Sequence, residues 1–136
     1  MRLKNQKGFT LLELLVVMVI IGLLVSYVAP NYFAQLGKSE VKVAKAQINA
    51  ITKALDSYRL DNGHYPSQES GINALNVAPP DESNWKGPYL QKNVPLDPWG
   101  HPYVYRIPGE KNDYDLFSYG KDGKSGGNND DADIYN

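Results

Sequence analysis

With 136 residues, no cysteine and a formal charge of −1, the chain has room for one domain plus an appendage, because single domains run about 100 to 150 residues. The missing cysteines exclude disulfides, thiol catalysis and thiolate metal sites together. The first eight residues hold Arg2, Lys4 and Lys7 and no acid; removing those three positive charges leaves −4 for the remainder, with no basic patch suited to nucleic acid.

In chain order, the basic segment Met1 to Gly8 precedes a nearly unbroken apolar run from Phe9 to Ala29. A secretory signal peptide is the first reading, but the run exceeds the usual ~7 to 15 apolar residues and no A-x-A-like site follows it cleanly. The basic residues instead predict a spanning helix with a cytoplasmic N-terminus. Glu13 lies inside that helix, where an acid costs roughly 2.5 to 3.5 kcal/mol on insertion scales. On the residues alone it either snorkels to the interface or meets a partner. Gly22 and Pro30 punctuate the helix, and Pro30 is expected to kink or locally open it, since proline lacks the N–H and clashes with the preceding turn.

The stretch Lys7-Gly8-Phe9-Thr10-Leu11-Leu12-Glu13 closely resembles the type IV pilin-like (class III) signal, which a dedicated prepilin peptidase cuts after the glycine. The resemblance implies that Gly8 ends the leader, that Phe9 becomes N-methylphenylalanine, and that Glu13 neutralises the terminal amine of a neighbouring subunit during assembly. Opposite charges in an apolar core are tolerable as a pair. It also implies that the segment Gly22 to Pro30 can melt in an assembled fibre, whereas on the residues it reads equally as an ordinary kinked membrane helix.

From Ser39 onward, Val41, Ala44, Ile48, Ile51, Leu55 and Tyr58 recur every three or four residues. Such a stripe predicts an amphipathic helix packing on a sheet. Gly63 should stop it. Beyond lie turns rich in proline and aromatics, with a short helical turn expected in Gln68 to Leu75. Alternation in Tyr103 to Ile107 and in Tyr114 to Tyr119 predicts an antiparallel hairpin around the loop 109–113. A third short strand is expected around Tyr89-Leu90. The fold class is α+β, a long N-terminal helix packed on a small antiparallel sheet. Trp85, Trp99 and the prolines read as loop fixers and core filling rather than as a ligand pocket.

The last residues hold Asp122, Asp130, Asp131 and Asp133 among glycines and asparagines. They read either as a solvated acidic terminus or as hard oxygen donors for calcium; an EF-hand is excluded, because counting from Asp122 puts Lys124 and Gly126 at its third and fifth positions. Asp61-Asn62-Gly63-His64-Tyr65-Pro66, Pro95-Leu96-Asp97-Pro98-Trp99-Gly100-His101-Pro102-Tyr103, this tail and the absent cysteines together resemble the major pseudopilins of type II secretion systems over nearly the whole chain. That resemblance implies one calcium ion, held by Asp122, Asp131 and Asp133 with carbonyls near Tyr119 and Asn128. Asp130 is a close substitute, because the tail differs by a residue in spacing from some relatives.

Organisation is then expected as leader 1–8, hydrophobic helix 9–38 and periplasmic head 39–136. The resemblance implies a structural subunit of the pseudopilus, first held in the inner membrane in contact with lipid, then polymerised with copies of itself. Its implied partners are minor pseudopilins, the prepilin peptidase and the inner-membrane assembly platform. The alternatives are a type IV pilin for adhesion, motility or DNA uptake, whose usual C-terminal cysteine pair is missing, and a Sec-processed soluble binding domain. No catalytic motif is present. His64 and His101 sit beside turn residues, and Asp56 and Asp61 do not share a helix face well.

Overall fold

The computed structural model describes residues 7–136; Arg2 and Lys4 of the basic segment lie outside them. Helix α1 covers Leu11–Asn62. Three strands follow, β1 Val104–Arg106, β2 Asp115–Ser118 and β3 Ile134–Tyr135, with 3-10 turns at Gly71–Leu75 and Asn129–Asp131. The chain divides between Leu36 and Gly37 into two compact units.

In the first unit the large apolar side chains from Phe9 to Leu36 are all exposed, on a helix long and apolar enough to cross a membrane. Pro30 lies inside this helix without ending it. Of the kink or local opening expected there, the opening does not occur, since the helix runs continuously through Pro30. The Asn31 side-chain amide donates to the Tyr27 carbonyl at 3.4 Å, adding a polar contact one turn below the proline.

In the second unit the stripe behaves as its spacing predicts. Ala44, Ile48, Ile51, Leu55 and Tyr58 are buried, with Ala54 added and Val41 at the edge. They form one cluster with Leu75, Tyr103, Tyr105, Tyr114, Leu116 and Ile134, and full burial of such a Leu or Ile side chain contributes about 1.5 to 3 kcal/mol. At the helix end Gly63 takes φ +83° and donates its N–H to the Arg59 carbonyl at 2.7 Å. This left-handed closure is the one a glycine provides without steric cost.

The hairpin forms, somewhat shorter than expected. Its register pairs Val104 with Phe117 and Arg106 with Asp115. All four residues of β2 are buried, since Leu116 faces the core while Tyr135 stacks on Phe117 at 4.8 Å and the Arg106 guanidinium covers the same ring at 5.5 Å.

The third strand is not at Tyr89-Leu90. It is β3, antiparallel to β2 with Ser118 opposite Ile134, and the order is β1-β2-β3. At Tyr89 the backbone N–H goes to Leu75 O at 2.7 Å and the phenol donates to Asp61 at 2.9 Å, while the Leu90 carbonyl accepts from the Asn76 amide. Side chains and a turn have taken the groups a ladder would use, and Pro88 has no N–H to offer one.

Burial raises the pKa of the Tyr58, Tyr103, Tyr105 and Tyr114 phenols above the ordinary 10.0, with Glu82 adding to the effect at Tyr58. The unfolded chain ionises near 10, so this stabilisation is complete below pH 10 and is lost as pH rises through the higher folded values. Urea melts should show unfolding free energy that is level from about pH 8 to 9.5 and then falls, by up to ~1.4 kcal/mol per pH unit for each tyrosine.

Candidate functional site

At the N-terminal end, Gly8 and Phe9 precede the helix and are exposed, Phe9 at 85%. Glu13 lies in the first turn of α1. Its carboxylate accepts the Thr10 backbone N–H at 2.8 Å, and its own N–H donates to Thr10 Oγ1 at 3.2 Å. This is a capping box: two helix-terminal N–H groups are satisfied reciprocally, and the acid sits where the helix dipole favours negative charge. The pattern Thr10-Leu11-Leu12-Glu13 carried that signal, which a reading of Glu13 as a membrane charge overlooked. Thr10 is the capping residue so missed.

At the C-terminal end, residues 119–133 form a built loop rather than a loose tail. Lys121 N–H donates to Asp130 O at 2.9 Å, and Asp131 N–H donates to Asn128 O at 3.1 Å. Gly127 has φ +91°, and a Cβ there would run into the Asp131 carbonyl; a side chain is excluded by space as well as by conformation.

The carboxylates of this loop face several ways. Asp122 accepts the Lys124 N–H at 3.1 Å, and both Asp133 oxygens lie 3.1 Å from the Gly126 N–H. The Asp130 side chain presses against Gly37 of α1, where even a methyl group would collide with it. Asp130 thus belongs to a helix contact. Tyr119, Asp122, Asn128, Asp131 and Asp133 share one loop, but among the described residues no three His, Cys, Asp or Glu side chains converge to hold a metal ion. The donors are oxygens, the chemistry calcium prefers. As placed, the carboxylates of Asp122 and Asp133 are spent on backbone N–H groups.

The other polar residues hold turns. The His64 ring lies 3.3 Å from Glu82. Asp56 accepts from the Tyr65 phenol at 3.1 Å and Asp61 from that of Tyr89, so each acid has its own tyrosine and the two form no pair. Trp85 donates to the Ala74 carbonyl at 2.7 Å, pinning its loop.

Residues 31–136 match the family described as "Type II secretion system (T2SS), protein G", and residues 3–29 match the prokaryotic N-terminal methylation motif. The type II secretion system core protein G of Pseudomonas aeruginosa is 47% identical over 139 residues, covering 100% of this chain and 98% of that one. That of Vibrio cholerae is 44% identical, covering 99% and 94%. The fold matches the crystal structure of the major pseudopilin from the type 2 secretion system of enterohaemorrhagic Escherichia coli, with a TM-score of 0.66, 35% identity, and coverage of 79% of this chain and 94% of that chain.

Thr10→Ala removes the cap, a loss of about 1 kcal/mol to the first turn. Amide exchange at Glu13 in detergent micelles should quicken about fivefold, while Glu13→Gln, which keeps the capping geometry, should leave it nearly unchanged.

Proposed function

The chain belongs to the type II secretion system protein G family and is a structural subunit of the pseudopilus, and from this premise we propose how its parts serve assembly. The observation that carries the reading is the uncovered apolar surface of α1 from Leu11 to Leu36. Exposed apolar area on this scale needs a lipid or protein neighbour. In the membrane-bound precursor lipid covers it, with the N-terminus cytoplasmic, as the basic residues favour, and the head in the periplasm. In the fibre the helices of other copies cover it.

The peptidase cuts after Gly8, and the new Phe9 amine is methylated. The Glu13 carboxylate, held at the helix start by Thr10, then offsets the positive amine of a neighbouring subunit in a surrounding where neither charge is tolerated alone. Growth of the fibre, powered by a separate ATPase, pushes folded proteins through the outer membrane. Minor pseudopilins and the inner-membrane assembly platform are the further partners of this scheme. The family match favours it over an adhesion or DNA-uptake pilus.

The acidic loop is proposed to take one calcium ion, with Asp122, Asp131 and Asp133 as carboxylate donors and Tyr119 and Asn128 as carbonyl donors. Its support is an all-oxygen donor set on a glycine-rich loop whose ends are already joined by backbone hydrogen bonds. Binding asks the carboxylates of Asp122 and Asp133 to leave the N–H groups they hold. Calcium would supply positive charge among clustered acids and close the loop further.

Mass spectrometry of the mature chain should find N-methylated Phe9 as its first residue; a start near Asn31 would point to Sec processing and end the assembly scheme. For the loop, the full chain in micelles should melt at higher temperature with calcium than with chelator, by an amount equivalent to about 2.7 kcal/mol when free calcium is a hundred times the dissociation constant. Identical melting in both buffers removes the calcium assignment.

A further inference from the structure

Asp97 is 4% exposed and has no part in the scheme above. A buried charge is costly unless it is hydrogen-bonded, and this one is fully engaged. Its Oδ1 accepts the backbone N–H of Trp99 at 3.1 Å and of His101 at 2.8 Å. Its Oδ2 accepts the Ser118 hydroxyl at 2.6 Å.

Two of these donors lead into the C-terminal loop. Ser118 is the last residue of β2, and its Oγ also accepts the N–H of Gly120 at 3.1 Å. Gly120 is where the chain turns away from the strand, at φ +73°. The His101 ring lies against Gly123, close enough that a Cβ there would come within 3.1 Å of it. The third donor leads to the helix, because the Trp99 indole N–H donates to Glu40 Oε2 at 3.0 Å. A hydrogen-bonded path thus runs from Glu40 on α1 through Trp99, Asp97 and Ser118 to Gly120.

We propose that Asp97 is the positioning residue of the C-terminal loop, fixing the loop's first turn against β2 and tying it to α1 at Glu40. A carboxylate suits this place chemically. The Ser118 hydroxyl accepts from Gly120 and donates its proton to Asp97, and the two backbone N–H groups on the other side also need an acceptor, which the two oxygens of a carboxylate supply together. Asparagine would turn its NH2 either toward those two donors or toward the serine, and one side of the junction would lose its match. Nothing in this argument uses calcium.

The test is amide hydrogen exchange on the full chain in detergent micelles with chelator present, comparing wild type with Asp97→Asn, Ser118→Ala and Ser118→Thr. In the first two variants the amides of Gly120, Lys121 and Gly126 should exchange about tenfold faster, the scale of one lost buried hydrogen bond. Those of Leu55 and Leu116 should hold, and Ser118→Thr, which keeps the hydroxyl, should restore protection. Unchanged loop exchange overturns the proposal. So does an equal acceleration of loop and core, or loss of the folded state in both Asp97→Asn and Ser118→Ala, since Asp97 would then support the whole head rather than the loop. Because the readout is metal-free, failure of the calcium assignment would appear only in the melting experiment and leave this one standing.

Discussion

Water cannot be the resting environment of the chain between Phe9 and Leu36. Each side chain there leaves apolar area uncovered, and the free energy of removing that area from water is the largest driving force available to the chain. Membrane residence and polymerisation are two solutions to this one constraint. In the proposed scheme a fibre grows from a membrane because the same surface satisfies both, a subunit exchanging lipid neighbours for helical ones. The polar exceptions are correspondingly few and well placed. Glu13 and Thr10 satisfy each other at the helix start, which lowers the cost of keeping an acid in an apolar run.

The head answers a different problem, a small core without disulfides. Much of the core is aromatic, and two buried phenols reach outward to fixed acceptors: Tyr105 to the Pro66 carbonyl at 2.8 Å and Tyr103 to Gln47 at 2.5 Å. Each ring fills volume while its hydroxyl pins a loop, so one residue serves packing and closure together. Gln68 does the same from the surface, donating to the Tyr105 carbonyl and accepting from the Ile107 N–H. Polar side chains bonded to backbone do here what cystines do in other small exported domains.

The α1 stripe, the Gly63 stop and the hairpin were legible because each is a local signal, a period or a turn residue within a few positions. The third strand was not. Tyr89-Leu90 looks like a strand by composition, but its backbone groups go to Leu75 and Asn76, contacts between distant segments that no local pattern reveals. Ile134-Tyr135 is too short to announce itself, and it pairs because the loop before it returns the chain to β2. The acidic residues show the same limit. Composition picks out the loop as oxygen-rich, whereas the assignment of Asp130 to Gly37, of Asp133 to Gly126 and of Asp97 to Ser118 depends on tertiary neighbours. The capping box was missed differently, as a visible four-residue pattern eclipsed by a stronger functional reading of its acid.

Gly37 brings the two ends of the head into one account. On α1 it presents only hydrogen where the Asp130 side chain comes to rest, so the C-terminal turn is seated by a missing methyl group. The part of α1 from Gly37 onward therefore belongs to the head. A chimera that grafts a relative's helix onto this head would keep its C-terminal turn in place only if the junction falls before residue 37, or if the incoming helix also has glycine at that position.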